Sequence, residues 1–568
     1  MPRFIHLDTS IQSIGGHHWD LASNIADIAH KLGWSASVAT NIRFREKLGS
    51  IAVAPHINVI PDLNCPVSWM FSNNDMGGVK WQVSSSGLPA LCLHPSKLIG
   101  TISGLVKSPN IIDTYRTFHS TKQAFVDFLN KENLSNDDML FFGTACELDV
   151  LCFSEALREY SKEINWHTSF YFHYGVFPST KSSKLVPPSI RKTNIEKMLK
   201  RALSCLNMSN ISLLATTSQL ATQLTELTGF NCRHLDYPIN QKFFSAKKSK
   251  LANENDLSAL KIEVSLAGGF REEQGSSAAV NVLSSIFSDH ILNQNIQVSL
   301  MVNKGFMDNE ISTSAGLLPA KEIKSLRLKQ FPLSSSEYFS WLHNANAILF
   351  LYRADDYANR VSGVFLEAIA LEKPVIVLAS SWMSSYLDSI SKDYFQNIIQ
   401  NSTLTRVPKS VGSESYKLEL DLLNEITTQI LFVLEHRAEF DSELPILKIK
   451  TSDLLNKSCP FRRVGENMWA CITEYTSFNS NTIFTFSNRH YNSSDFFEKV
   501  SYCILDDKNV IPISYAGLVV ESLNCFNDAL RELILFKEHY TETTKKAAKL
   551  IESRHHPKVF VEKATTRG

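Results

Sequence analysis

The stretch Arg360-Val-Ser-Gly-Val-Phe-Leu-Glu367 places a cation, a hydroxyl, a turn glycine and a carboxylate within eight residues. Arg353 and Arg360 suit an anionic ligand, because a guanidinium can hold two oxygens of one anion at once. Ser362 and Gly363 form a turn whose backbone N–H groups can point at a phosphate. Glu367, on the helix that follows, can accept two hydroxyls in charge-assisted hydrogen bonds. Asn359 can bind a hydroxyl but cannot act as a carboxylate. The pair Asp355-Asp356 reads as a turn, and no Asp-x-Asp stands in a loop fit for a metal.

Three further groups have chemical potential. Gly15, Gly16, His17 and His18 follow the apolar run Phe4-Ile-His-Leu7, and glycines there let backbone approach an acceptor or a phosphate closely. Gly268, Gly269 and Arg271 follow the run Lys261-Ile-Glu-Val-Ser-Leu-Ala267. Arg271 either meets an anion or pairs with Glu272 or Glu273. His173 ends the run Ser169-Phe-Tyr-Phe-His173, within the aromatic cluster Phe170, Tyr171, Phe172 and Tyr174.

These residues need elements to hold them. Ala347–Tyr352 is an apolar strand, a short helix carries Glu367, and Val375–Val377 ends a buried strand, which makes one βαβ unit. Ligands of such units sit at the carboxyl ends of the strands. Upstream, the pattern predicts strands at 4–7, 34–40, 138–142 and 211–217 and a strand with its loop at 169–175, with helices at 19–32, 146–160, 189–206 and 218–227. Strands at 261–267, 296–302 and 322–329 and a helix at 338–344, capped by Ser334 and Glu337, follow. Long helices are expected at 418–436 and 461–475, a strand at 482–486, and one or two helices over 516–553.

The order of elements and the stretch 347–377 resemble the GT-B glycosyltransferases, especially the large retaining family 4. The resemblance implies an α/β fold with two facing Rossmann-like domains and a C-terminal helical extension. It implies an acceptor domain at 1–240, a nucleotide-sugar donor domain at 241–440, cross-back helices at 441–475 and an extension at 476–568. By resemblance, Glu367 holds the ribose hydroxyls and His173 lies near the donor sugar, where it would act in catalysis. Gly268, Gly269, Arg271, Arg353, Asn359, Arg360, Ser362 and Gly363 would line the donor site. The sequence departs from the family at three positions. Asn359 stands where the first of two acids is usual. Gly269 and Gln274 stand where an arginine and a lysine normally neutralise the donor diphosphate.

The expected reaction moves a sugar from a nucleotide sugar to a glycan or glycolipid acceptor, with retention and with neither metal nor cofactor. Bacterial surface polysaccharide synthesis is the expected setting. Two alternatives stand beside it: a non-catalytic binding or scaffold subunit, and a sugar-nucleotide epimerase of the same fold.

Composition sets the outer bounds. With 568 residues the chain is too long for one core. Lys+Arg and Asp+Glu balance at 57 each, so no global field points to nucleic acid. Charged residues are 20% and hydrophobic ones 44%, as in globular proteins. There is no run of eighteen apolar residues and no evident signal peptide, and the ten cysteines are scattered without a Cys-x-x-Cys pair. A cytoplasmic protein is expected. The basic helix 189–206 reads either as a solvated face or as a peripheral contact with the inner membrane face. The sequence does not decide the oligomeric state.

Overall fold

The computed structural model describes residues 1–12, 17–50, 53–66, 86–88, 114–160, 164–173, 188–204, 206–245, 261–267, 274–302, 304–331, 333–407, 417–420, 427–436, 445–450, 457–476, 482–488, 497–505 and 512–566. The chain divides into two compact units. The first comprises Met1–Ser245, Ala358–Gly363 and Glu552–Gly568; the second comprises Ala246–Tyr357 and Val364–Ile551.

The first unit is a parallel sheet with helices packed on it. Its strands are β1 (Arg3–Asp8), β2 (Ser35–Asn41), β3 (Asn58–Leu63), β4 (Met139–Ala145), β5 (His167–Phe172), β6 (Ile211–Ala215) and β7 (Cys232–His234). The helices are α1 (His17–Lys31), α2 (Thr114–Glu132), α3 (Glu147–Glu159), α4 (Pro188–Ser204) and α5 (Ser218–Thr228). The spatial order is β3-β2-β1-β4-β5-β6-β7. The chain therefore winds one way from β1 to β3 and the other way from β4 to β7. The register pairs Phe4 with Ala36 on one side and with Met139 on the other. Both faces of this sheet are covered, so its strands read as continuous apolar runs. Phe142, Phe125, Phe153 and Phe170 fill one side, while Phe4, Phe141 and Tyr171 fill the other together with Phe560 from the C-terminal end.

The second unit is built on β8 (Ile262–Ala267), α6 (Ser276–Ser288), β9 (Ile296–Val302), a hairpin of β10 (Glu310–Thr313) and β11 (Gly316–Pro319), and β12 (Leu326–Gln330). It continues through α7 (Ser335–Asn344), β13 (Ala347–Phe350), α8 (Gly363–Ala370, its first residue assigned to the first unit), β14 (Val375–Leu378) and α9 (Trp382–Gln400). Helix α7 starts at the expected capping box: Ser334 accepts from the Glu337 N–H, and Glu337 accepts from the Ser334 N–H. The parallel sheet has the order β12-β9-β8-β13-β14-β24, where β24 is Gly517–Val520. It too reverses direction, between β8 and β13. Both sheets are thus doubly wound, Rossmann-like α/β arrangements.

The region between α9 and β24 corrects three expectations. The helix expected at 418–436 is β16 (Lys417–Leu420) and β17 (Thr427–His436). The helix expected at 461–475 is β20 (Arg462–Arg463) and β21 (Met468–Thr476), and Ala516–Val520 ends in strand β24 rather than opening a helix. With β15 (Thr405–Arg406), β18 (Pro445–Lys450), β19 (Lys457–Pro460), β22 (Thr482–Asn488) and β23 (Phe497–Ile504), these strands form two antiparallel sheets, β15-β23-β17-β21-β20 and β16-β22-β18-β19. The expected strand at 482–486 lies within β22.

The physical reason is burial on both faces. Ile430, Phe432 and Leu434 enter the core between the two sheets with Leu447, Phe484 and Phe486. Leu431 and Val433, pointing the opposite way, pack with Phe395 of α9. An alternating strand of this kind shows no polar side, so its run of apolar residues looks like a buried helix.

Helices α10 (Phe526–Leu535), α11 (Lys537–His555) and α12 (Pro557–Thr565) end the chain. The residues that rejoin the first unit are 552–568. The described residues within 441–475 are strands of the second unit, with no cross-back helix among them. In the first unit, the Phe560 ring lies 5.6 Å from Phe141 and 5.3 Å from Tyr171. His555 Nδ1 lies 2.7 Å from the Tyr237 carbonyl.

Candidate functional site

The winding of the first sheet reverses between β1 and β4, and polar residues collect at the carboxyl ends of these strands. Asp8 closes β1 and is buried. Its Oδ1 accepts from the Ser10 N–H at 2.8 Å and also from the Ser10 hydroxyl. Its Oδ2 accepts from the Thr144 hydroxyl of β4 at 3.0 Å and lies 3.3 Å from His18 Nδ1 of α1. Ser10 Oγ is 2.9 Å from the same Nδ1.

Burial opposes ionisation of Asp8, but hydrogen bonding and charge from His18, with the Ser10 hydroxyl, outweigh it and hold the carboxyl at about 2. A carboxylate fixed in this way orients the imidazole.

Two more histidines approach this pair. His6 of β1 is buried, and burial depresses it to about 4 although Asp8 opposes the shift. Gly143 makes room for its ring, since a Cβ there would collide with it. His173 follows β5, edge-on to Tyr171 at 4.6 Å and to Tyr237 at 5.4 Å. Burial, aided by the charge of His18, depresses His173 to about 3, and its ring bonds the Gly143 backbone. His6 and His173 are therefore neutral imidazoles at pH 7, and both sense the charges of Asp8 and His18.

In the second unit the winding reverses between β8 and β13. Gly275 caps α6 in the left-handed region (φ 85°), and a Cβ on it would collide with the Leu351 carbonyl. The N-terminus of α6 is thereby held against the end of β13. Gln274 lies beside this cap with its Oε1 buried and without a hydrogen-bond partner. Glu367 of α8 is 8% exposed, and Tyr338 of α7 donates to its Oε2 at 2.5 Å. Arg353 is paired with Asp356 at 3.1 Å.

Asn359, Arg360, Ser362 and Gly363 belong to the first unit, apart from Glu367 and Arg353. There the Asn359 carbonyl accepts from the Thr217 hydroxyl at 3.2 Å, Ser362 is buried, and a Cβ on Gly363 would lie 3.3 Å from the Tyr237 ring. Gly15, Gly16, Gly268, Gly269 and Arg271, and the side chain of His17, lie outside the described residues.

Among the expected site residues, then, the structure brings His18 and His173 into one neighbourhood. It adds Asp8, Ser10, Thr144, His6 and Tyr338, none of which the sequence singled out. Asp8 had a signal: an acid on the last residue of a strand, ten positions before His18. Tyr338 had none, because nothing in the sequence ties it to Glu367. Among the described residues no group of three or more His, Cys, Asp or Glu could hold a metal, and no helix is long and apolar enough to cross a membrane.

No known protein family and no curated protein matches the chain. Solved structures give weak likenesses. The N-terminal domain of a trehalose-6-phosphate phosphatase from Candida albicans superposes with a TM-score of 0.43 at 11% identity, over 69% of this chain and 85% of that one. Sucrose-phosphate synthase from Thermosynechococcus elongatus gives 0.42 at 14% identity, over 71% and 89%. A trehalose-6-phosphate protein from E. coli, solved with UDP-2-fluoro glucose, gives 0.38 at 11% identity, over 68% and 86%.

Proposed function

We propose that this chain is a GT-B glycosyltransferase that moves a sugar from a nucleotide sugar to a carbohydrate or lipid-linked acceptor. The observation that carries the reading is Glu367. Its carboxylate is almost fully buried, on the helix that opens at Gly363, after the strand at the switch point of the second sheet. A carboxylate there suits the paired hydroxyls of a ribose. In the first unit, His173 is the catalytic candidate and acts as a neutral hydrogen-bond donor to a sugar hydroxyl. His18, oriented by Asp8, handles the acceptor or a phosphate.

The diphosphate draws on Arg353 and Arg271 and on backbone N–H groups, because its charge grows as the leaving group departs. Transfer proceeds with retention and without a metal, at the cytoplasmic face, in synthesis of surface polysaccharide or a related glycoconjugate. An unchanged rate after exhaustive chelation tests the metal-free part.

One observation favours a second reading, a non-catalytic subunit of the same fold. Gln274 places a buried carbonyl oxygen at the position where a cation is expected, and an anion gains nothing from it. A thermal-shift panel of nucleoside diphosphates and nucleotide sugars separates the two. A stabilising nucleotide whose effect disappears in Glu367→Ala supports the transferase and names its base. No shift with any nucleotide favours the subunit.

A further inference from the structure

The second unit contains a cavity of about 360 Å³ away from Glu367 and the α6 cap. One wall is the inserted β-structure, with Arg462 of β20 and Thr473 of β21. The other is β24 and α10, with Leu518, Val520 and Ala529. Its size is in the range of small-molecule sites.

Arg462 defines the chemistry. The residue is 5% exposed. Its Nε donates to Asp388 of α9, and its Nη1 donates to Ser514 Oγ at 3.1 Å. Its Nη2 is buried and has no hydrogen-bond partner. A guanidinium has five N–H donors in a fixed fork, and leaving buried ones unmade is costly. Folded proteins rarely tolerate such a group without a ligand or an ordered water to accept from it.

The charges already present decide what that acceptor is. Asp388 supplies the counter-charge to Arg462. Three carboxylates, Glu521, Asp528 and Glu532, also line the cavity, against one further cation, Arg531. Arg531 is itself paired with Asp289 and Asp528. Another anion would enter a site whose positive charge is spent. A neutral oxygen meets no such repulsion, and the apolar side chains of Leu518, Val520 and Ala529 suit a hydrocarbon body.

We propose that this cavity binds a small uncharged amphipathic molecule, which presents a carbonyl or hydroxyl oxygen to Arg462 Nη2 and its apolar part to β24 and α10. The site is independent of the transferase reading. Because β24 pairs with β14 along Val375–Leu378, the ligand would brace the edge of the nucleotide-type sheet.

Three molecules of similar shape test it on the full chain: acetophenone (neutral acceptor), benzoate (anion) and ethylbenzene (no acceptor). Acetophenone is expected to raise Tm in a saturable way. It should bind about tenfold more tightly than ethylbenzene, the worth of one hydrogen bond to a charged donor, and more tightly than benzoate. It should also slow alkylation of Cys525, a cavity-lining thiol, read by peptide mass. Ala529→Phe, which fills the cavity without touching the Arg462–Asp388 pair, should abolish both effects.

No Tm shift with any of the three would overturn the proposal and leave the space to water. Tighter binding of benzoate, or an acetophenone effect that survives Ala529→Phe, would overturn it as well. Ala529→Phe is preferred to Arg462→Lys, because loss of the buried pair with Asp388 risks unfolding.

Discussion

The Tyr338 hydroxyl donates to Glu367 Oε2 at 2.5 Å, and so joins the first turn of α7 to the middle of α8. The carboxylate proposed to hold ribose is thus already engaged on one oxygen, by a residue 29 positions earlier. A charge-assisted bond of this kind fixes a rotamer, and a fixed rotamer is what a ligand with two hydroxyls needs.

Tyr338→Phe removes that donor and leaves the buried carboxylate one partner short, at a cost of about 1–3 kcal/mol. The unliganded protein should therefore melt lower. Nucleotide hydroxyls would then supply replacement donors, so the nucleotide-induced rise in Tm should persist in Tyr338→Phe and vanish in Glu367→Ala. Calorimetry of the three proteins with and without the best nucleotide checks this. Equal loss of the rise in both variants would mean that Tyr338 itself holds the ligand.

The pH response of the first unit follows from its neutral histidines. His6 lies at about 4 and His173 at about 3 when folded, against 6.5 when unfolded. Their folded values are depressed, so their contribution is complete above pH 6.5 and is lost as pH falls from 6.5 toward 4. By pH 5 the unfolded chain has taken up protons that the folded unit refuses, worth about 2 kcal/mol for each histidine. Asp8, held at about 2, loses its contribution only below its unfolded value of 3.8 and stays out of this window. Urea midpoints at pH 7, 6 and 5 should fall steadily in the wild type and less steeply in His6→Gln. Parallel curves for the two proteins would contradict the assignment.

Where one structural signal dominated, the sequence was readable. Strand Ile296–Val302 falls on its predicted bounds, and the capping box at Ser334 and Glu337 starts α7 as the sequence predicts. Glu367 and the βαβ unit around it stood out because apolar strands and a helix lie within a few residues of one another. The insertion, with nine strands among its described residues, was hidden for the opposite reason. Thr427–His436 has Phe432 in one core and Leu431 in another, so the period-two alternation that marks a strand is absent from its hydropathy. The contacts of Thr144 with Asp8 and His18 were invisible because they join residues 136 and 126 positions apart, which only the β1–β4 pairing brings together.

This two-faced burial has its own consequence. Phe432→Ala empties the space between the two antiparallel sheets, and Leu431→Ala empties the contact with Phe395 of α9. Costs of about 3–5 and about 2–5 kcal/mol follow from truncations in packed cores. Hydrogen exchange should speed up across β17, β21 and β23 in either variant, while β1 and β4 of the first unit keep their protection. An exposed face on β17 would make one of the two substitutions nearly neutral, which is the result that would refute its placement.

Gly275 and Gly33 provide a matched pair. Both sit in the left-handed region, at φ 85° and 93°. A Cβ on Gly33 would meet nothing within 4 Å, whereas a Cβ on Gly275 would collide with the carbonyl and Cβ of Leu351. Gly33→Ala should then cost only the backbone strain, about 1–2 kcal/mol. Gly275→Ala should cost that plus about 1–3 kcal/mol for forced displacement in a packed interior. The displacement would move the N-terminus of α6 away from the end of β13, where a phosphate is expected to bind. Gly275→Ala should consequently lose nucleotide-induced stabilisation at temperatures where it remains folded, and Gly33→Ala should retain it. Equal costs in the two variants would show that α6 does not depend on close contact with β13, and would remove the geometric reason for placing the phosphate there.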